Sequence, residues 1–124
     1  QFIRNHGVNP FIKYWNGKTF FRPLMSLPAD RLDPILERRF KNTAEGLALS
    51  LENVGTASLP SLWSRLKELR CKVDIVVGEK DPKFLEIGHR MGECLPKARI
   101  SVIEFAGHAV HLEYPSDCAK LLEV

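Results

Sequence analysis

The chain has 124 residues, of which 44% are hydrophobic and 27% are charged, and its formal net charge is +3. This composition is typical of one small globular domain, so disorder is not the expected state of the chain. Basic and acidic residues are interleaved, which argues against a nucleic-acid partner. No apolar stretch approaches the roughly 20 residues of a membrane-spanning helix. The N-terminus also lacks the succession of charged, apolar and small residues that marks a signal peptide. We therefore expect a soluble, intracellular protein with no membrane span.

The N-terminal segment is rich in aromatic side chains but is interrupted by glycine and proline, so it is predicted to form only short helices. Its apolar pattern begins at once with Phe2 and Ile3, without the polar fringe that is common at chain starts. We therefore expect the sequence to be a piece of a longer protein.

Two amphipathic helices are predicted next along the chain. Residues 30–42 have apolar side chains near helical spacing, with Asp30 as the N-cap and Pro34 in an early turn. The second helix follows Thr43, a favourable N-cap residue, and ends at Gly55. Together with the segment before them, these residues predict a helical first half.

The pattern changes after a third predicted helix, which covers residues 61–69. Residues 72–78 read KVDIVVG, a short β-branched run closed by glycine that is typical of a buried strand in a parallel sheet. Helical spacing returns over 83–95, a second strand is predicted over 98–105, and a final helix is predicted from Ser116. Strand, helix and strand in this order form a βαβ unit, which is right-handed in about 98% of cases. The predicted fold class is therefore α/β.

Two chemically active side chains follow these predicted strands. Asp81 lies just past Gly78, and His108 lies just past the second strand. Loops beyond the carboxyl ends of parallel strands share one edge of the sheet, so the carboxylate and the imidazole are expected to meet there. A carboxylate that accepts a hydrogen bond from an imidazole fixes the tautomer of the ring and leaves its other nitrogen to take a proton. The sequence therefore predicts the acid and the base of a catalytic triad.

The third member of such a triad is a serine on a G-x-S-x-G turn, which precedes the acid and the base in the α/β-hydrolase order. No G-x-S-x-G occurs in the chain. The nucleophile is therefore predicted to lie upstream, outside the chain. By the same argument, we expect the chain alone to be inactive, and its missing strands to leave a sheet edge that promotes self-association.

Several segments carry a resemblance to a known family. The motifs IVVGEKDPKF and FAGHAVHLEYP resemble the acid loop and the histidine loop of α/β-hydrolases. More narrowly, the chain resembles MenH-type enzymes of vitamin K biosynthesis in FIKYWNGKTFF, LERRFKNTAEGLALSL and GTASLPSLWSRLKELR. The resemblance implies the C-terminal fragment of an α/β-hydrolase fold. Residues 1–57 would form a portion of the helical lid, and residues 58–124 would form the last βαβα unit of the core.

The resemblance also implies an activity. MenH-type enzymes are 2-succinyl-6-hydroxy-2,4-cyclohexadiene-1-carboxylate synthases. They are lyases that eliminate pyruvate from 2-succinyl-5-enolpyruvyl-6-hydroxy-3-cyclohexene-1-carboxylate in menaquinone or phylloquinone formation, and they use no metal or organic cofactor. The likeness extends to the MenH module of a plant fusion protein, which implies a chloroplast location if the source is a plant.

Site residues follow from the matching motifs. Asp81 and His108 would be the catalytic acid and base, although a helix N-cap is the alternative for Asp81. Arg39 would bind a carboxylate of a small dicarboxylate-type substrate, with Arg38 as a competitor and an exposed helix charge as the alternative. Trp15 would cover the pocket, and packing within the lid is its alternative.

Other chemistries fit the sequence less well. His111 and Glu113 could be combined with His108 as a metal set, but a lone H-x-x-H is poor evidence for zinc and structural packing is the favoured interpretation. The three cysteines are odd in number and widely spaced, so they are predicted to be reduced thiols. Two other functions stay open, namely a different α/β-hydrolase such as an esterase or thioesterase, and a non-catalytic binding fragment.

Overall fold

A computed structural model describes residues 1–56 and 58–122. The chain divides into two compact units. The helical unit comprises Gln1–Thr19 and Leu27–Ser61, and the strand unit comprises Phe20–Ser26 and Leu62–Val124. The predicted boundary at residue 57 lies outside the described residues, as do residues 123 and 124. The assignment of the two parts as lid and core therefore stays a prediction.

The helices and strands alternate only in the second half of the chain. In chain order the elements are α1 (Phe2–His6), α2 (Val8–Asn16), α3 (Arg22–Met25), α4 (Ala29–Phe40), α5 (Ala44–Val54), β1 (Val73–Gly78), α6 (Pro82–Cys94), β2 (Ala98–Ile103), α7 (Val110–Glu113) and α8 (Pro115–Leu122). Short 3₁₀ helices cover Thr19–Phe21 and Trp63–Glu68. No helix within the two described ranges has the length and apolar character to cross a membrane.

The helical unit is built around a small apolar core. Helix α1 packs against α2 and α5, and α2 packs against α4. The buried side chains are Ile3, Ile12, Ile35 and Ala48, one from each helix. Burial of these side chains against each other is what stabilises helices of this length, since short helices are marginal in water by themselves.

Of the N-cap residues predicted for α4 and α5, Asp30 and Thr43, only Thr43 is confirmed. Thr43 caps α5, because its hydroxyl oxygen accepts a hydrogen bond from the Gly46 amide at 3.1 Å. Asp30 was the wrong choice of N-cap for α4, since Pro28 is the N-cap residue and Asp30 lies in the first turn. There the negative charge still interacts favourably with the N-terminal end of the helix dipole. Pro34 accordingly lies inside the helix, where it cannot donate a backbone hydrogen bond.

The strand unit contains a two-stranded parallel sheet, which confirms the predicted βαβ arrangement. The register pairs Val73 with Ala98 and Gly78 with Ile103. Helix α6 contacts both strands. Its Gly88 lies so close to the strands that an added Cβ would meet Val77 Cγ1 at 3.1 Å. The sheet and α6 therefore pack in close contact, and the two strands end side by side.

The third predicted helix is a 3₁₀ helix, Trp63–Glu68, rather than an α-helix. Its hydrogen bonds span three residues, as from the Arg65 amide to the Leu62 carbonyl at 3.0 Å. Leu62 occupies the N-cap position and has no side-chain acceptor for the first amides. The segment packs against α6, where the Arg90 guanidinium lies 5.2 Å from the centre of the Trp63 ring.

Candidate active site

Asp81 is held at the carboxyl end of β1 by the helix that follows it. Asp81 is the N-cap residue of α6, and its Oδ1 accepts a hydrogen bond from the Phe84 amide at 3.3 Å. Pro82 occupies the first turn, where its missing N–H costs no hydrogen bond. Asp81 is only 4% exposed. The capping role predicted as an alternative is therefore present, and it uses one carboxylate oxygen.

The other carboxylate oxygen meets the histidine. His108 Nδ1 lies 2.6 Å from Asp81 Oδ2, and the imidazole keeps 29% of its surface exposed. An ionised carboxylate only accepts hydrogen bonds, so Nδ1 carries the proton and Nε2 is left as a proton acceptor. The structure thus brings together the two residues that were predicted to meet at one edge of the sheet.

Backbone hydrogen bonds fix the two loops to each other. The Glu79 amide donates to the Ile103 carbonyl at 3.0 Å, and the Lys80 amide donates to the Ala106 carbonyl at 2.8 Å. In the opposite direction, the Phe105 amide donates to the Glu79 side chain at 2.8 Å. The acid loop and the histidine loop therefore continue the pairing of β1 and β2 beyond the last paired residues.

Glycine at position 78 permits this close approach. A Cβ on Gly78 would lie 2.1 Å from the Gly107 carbonyl oxygen and 2.5 Å from the Ala106 carbonyl oxygen, both of which are backbone atoms. On the histidine loop, Phe105 has a φ of 61°, in the left-handed region that non-glycine residues rarely occupy. The chain thus turns sharply after β2, and this turn directs His108 back toward the acid loop.

Aromatic rings surround the imidazole. The ring centres of Phe84, Phe20 and Phe21 lie 4.5, 5.0 and 5.8 Å from that of His108, all in edge-to-face orientations. Such orientations are the favourable ones for aromatic pairs. Sequence reasoning missed this set. Phe84 could have been found from its position one turn into the helix that Asp81 caps, whereas nothing in the sequence links Phe20 and Phe21 to a loop so far along the chain.

Glu113, for which structural packing was the favoured prediction, is a buried acceptor of hydrogen bonds from the histidine loop. It is 2% exposed, and its two carboxylate oxygens accept hydrogen bonds from the Gly107 amide at 2.5 Å and the Ala109 amide at 3.0 Å. His111 is exposed. Within the described residues, no group of three or more acidic, histidine or cysteine side chains is arranged to hold a metal ion.

The helical unit holds the other two predicted site residues. Trp15 and Arg39 both line a cavity of about 250 Å³, together with Phe11, Ile12, Asn42, Leu47, Ser50 and Leu51. The Arg39 guanidinium donates a hydrogen bond to Asn16 Oδ1. Partial burial lowers the pKa of Arg39 from its usual value. The competing residue Arg38 is exposed, so the cavity selects Arg39 of the two adjacent arginines.

The cysteines take no part in either region. Cys71 and Cys94 are exposed free thiols, and Cys118 is a half-buried one. Burial raises the pKa of the Cys118 thiol, with a smaller contribution from the neighbouring Asp117 carboxylate. A raised pKa disfavours the thiolate, which is the reactive form of cysteine. The reactive thiolate form of Cys118 is therefore disfavoured.

The chain is similar in sequence to named proteins. A Bacillus subtilis protein provisionally named 2-succinyl-6-hydroxy-2,4-cyclohexadiene-1-carboxylate synthase is 38% identical over 122 residues, which cover 98% of this chain and 44% of that protein. The chloroplastic protein PHYLLO of Arabidopsis thaliana is 31% identical over 120 residues, which cover 90% of this chain and 7% of PHYLLO. No protein-family profile matches the chain.

The chain is also similar to a solved structure. The structure of MenH from S. aureus superposes with a TM-score of 0.93 and 27% sequence identity, over 97% of this chain and 46% of the MenH chain. This chain therefore spans less than half the length of the Bacillus subtilis relative and of the S. aureus structure.

Proposed function

We propose, on the premise that this chain is a C-terminal segment of a MenH-type α/β-hydrolase fold, that the protein containing it is a lyase. The proposed reaction eliminates pyruvate from 2-succinyl-5-enolpyruvyl-6-hydroxy-3-cyclohexene-1-carboxylate. The observation that carries the proposal is the 2.6 Å contact between His108 Nδ1 and Asp81 Oδ2, which lies in a chain similar to named synthases of this type. The serine that would complete the triad is proposed to lie in the part of the protein outside this chain.

The role of His108 in this reaction is to accept a proton. Asp81 holds the Nδ1–H, so that Nε2 takes a proton from the serine hydroxyl or from the substrate ring, and the resulting imidazolium is stabilised by the carboxylate. The electrons of the broken C2–H bond form a C2–C3 double bond, the C3–C4 double bond shifts to C4–C5, and the bond from C5 to the enolpyruvyl oxygen breaks. Protonation of the terminal carbon of the released enolpyruvate gives pyruvate. No step requires a metal or an organic cofactor.

The rings around the imidazole support this role. Phe20, Phe21 and Phe84 contact His108 edge-to-face, and 29% of the imidazole remains exposed. Apolar walls reduce the access of water to the base and strengthen its interaction with the buried carboxylate. We propose that the exposed part of the imidazole faces the nucleophile and the substrate.

Arg39 is the proposed substrate-binding cation, and Trp15 is the proposed aromatic contact. A guanidinium binds a carboxylate through paired, charge-assisted hydrogen bonds. Arg39 is half-buried beside the cavity, where its guanidinium can reach a bound anion. Trp15 lines the same cavity and supplies apolar surface beside the cation.

The proposal also covers the activity of the isolated chain and the location of the protein. The isolated chain is proposed to be inactive, because it contains no G-x-S-x-G serine. A chloroplast location is proposed if the source is a plant, by similarity to a relative that is itself named as chloroplastic.

The test is release of pyruvate from the enolpyruvyl substrate by the full-length protein. His108→Ala removes the base and Asp81→Asn presents an amide that favours the wrong imidazole tautomer, so we expect kcat to fall by about 10²- to 10⁴-fold in both. The matched control is His111→Ala, which removes an exposed imidazole three residues away and is expected to retain full activity.

Two results would contradict the proposal. Pyruvate release at the wild-type rate by either variant would remove Asp81 and His108 from the mechanism. No release by the wild-type protein, together with a burst of product from an activated ester, would assign the same pair to an esterase or thioesterase.

A further inference from the structure

The loop that carries His108 is attached to one buried carboxylate. The amides of Gly107 and Ala109, the residues on either side of His108, donate to Glu113 Oε2 at 2.5 Å and to Glu113 Oε1 at 3.0 Å. Gly107, Ala109 and Glu113 are all buried, and Glu113 is only 2% exposed. A single side chain thus binds both peptide groups that flank the predicted base.

Helix capping accounts for only half of this arrangement. Ala109 is the N-cap residue of α7, and an acidic side chain in the first turn often reaches back to the amide at the cap. The Gly107 amide, however, lies outside the helix, and it makes the shorter of the two hydrogen bonds. Glu113 therefore fixes the backbone of the histidine loop before α7 begins.

The two amides help to compensate the burial of the Glu113 carboxylate. Burial of a charged group is unfavourable unless hydrogen bonds compensate it, and a charge-assisted bond to a backbone N–H is about twice as strong as a neutral one. A neutral side chain of the same shape has one acceptor oxygen and one NH₂ group, so it would set a donor against one of the two amides. The pair of amides therefore specifically requires a carboxylate.

We infer that Glu113 is a positioning residue, which orients His108 by holding the backbone on both sides of it. The inference rests on the proposed role of His108 as the base. Asp81 orients the imidazole at Nδ1, and the Lys80 amide holds the loop at the Ala106 carbonyl. Glu113 adds an attachment on the side of the loop that leads into α7.

The test is Glu113→Gln in the full-length protein, with Glu104→Gln as the matched control on an exposed carboxylate just before the loop. We expect kcat for pyruvate release to fall by about ten- to hundredfold, because displacement of a catalytic group by about 1 Å can cost a hundredfold. KM should stay within about twofold, since Glu113 is not proposed to contact the substrate. The control should keep both parameters at the wild-type values.

A spectroscopic measurement separates positioning from general stability. The His108 Nδ1–H that is bonded to Asp81 should give a downfield imidazole proton resonance in the wild-type protein and in Glu104→Gln. Glu113→Gln should shift or broaden this resonance while the fold is retained. Wild-type kcat and an unchanged resonance in a folded Glu113→Gln protein would overturn the inference.

Amide exchange in the wild-type protein decides the question if Glu113→Gln does not fold. The Gly107 and Ala109 amides lie in a loop, so slow exchange of both with solvent deuterium would support their attachment to Glu113, and fast exchange would overturn it. The resonance and the exchange rates are independent of the substrate. An absence of pyruvate release by the wild-type protein would therefore refute the proposed function without deciding the role of Glu113.

Discussion

The loop pair of the strand unit and the cavity of the helical unit position the predicted site residues in different ways. The positions of Asp81 and His108 are determined by the backbone, because the two strands pair in a fixed register and hydrogen bonds join the loops that follow them. Trp15 and Arg39 are placed by side-chain packing among helices, with a hydrogen bond from Arg39 to Asn16. Backbone placement tolerates few changes at the contact points, whereas packed helices can adjust. The two regions should therefore respond differently to substitution.

Gly78→Ala should separate the acid loop from the histidine loop, and we expect it to cause the largest losses of stability and activity. The new Cβ would lie 2.1 Å from the Gly107 carbonyl oxygen, so the histidine loop has to move away from the acid loop. We expect a loss of on the order of 3 kcal/mol in the free energy of unfolding and a large fall in kcat. Urea unfolding and the pyruvate assay on the full-length protein measure the two effects.

A second glycine substitution provides the control. Gly92 lies in α6, and a Cβ there would meet side-chain atoms of Ile100, Cδ1 at 2.6 Å and Cγ1 at 3.2 Å, rather than backbone. Alanine also favours the helix by up to about 1 kcal/mol, so Gly92→Ala should change the free energy of unfolding by less than about 1 kcal/mol. Equal losses from the two substitutions would contradict the view that backbone contact makes Gly78 special.

Arg39→Gln tests whether the cavity of the helical unit binds the substrate. We expect KM for the enolpyruvyl substrate to rise by about tenfold, because one charge-assisted interaction contributes about 1.5 kcal/mol or more, with kcat changing much less. The fold should be retained, since packed helices accommodate the shorter side chain. Arg38→Gln, on the exposed neighbour, is the control, and an equal rise in KM from both would show that Arg39 is not a specific ligand.

The smallest expected effect concerns an ion-pair cluster on the surface of the helical unit. Arg4 of α1 donates to Glu45 at 2.9 Å through two nitrogens and also to Glu52, both in α5. Hydrogen bonds from Arg4 lower the pKa of both carboxyls below their ordinary value of 4.5. The stabilisation is therefore present above pH 4.5 and is lost as the pH falls through the lowered pKa values.

Arg4→Gln should accordingly be less stable than the wild type at pH 7, with a difference that disappears in acid. Urea unfolding at a series of pH values measures this difference. The control is Lys41→Gln, which removes a more exposed ion pair with Glu37 within one helix and should have a smaller effect. A constant difference between Arg4→Gln and wild type down to pH 3, well below the 4.5 at which free carboxyls titrate, would exclude the ion pairs as its cause.

The sequence could predict the meeting of Asp81 and His108 because topology determines it. A β-branched run such as KVDIVVG specifies a buried parallel strand, and two such strands with one crossover place their following loops at the same edge. The element types were correct for both strands and for α6, with ends displaced by one or two residues. The catalytic roles of the two residues remain predictions until the enzyme is assayed.

Other features depend on contacts that a local pattern does not encode. Phe20 and Phe21 reach His108 from a distant part of the chain, and no spacing rule connects them. Leu66 of the 3₁₀ helix Trp63–Glu68 and the flanking Leu62 and Leu69 have the spacing of one α-helical face, which is why an α-helix was predicted there. Helix α7 is only four residues long, too short for periodicity to reveal it.

The shared use of Asp81 has a consequence for the motions of the strand unit. One oxygen of its carboxylate caps α6 through the Phe84 amide, and the other holds the imidazole of His108. Rotation of this one group therefore weakens both bonds together. Fraying of the first turn of α6 is thus coupled to misalignment of the imidazole, so any ligand that steadies the start of that helix also keeps the His108 ring aligned with Asp81.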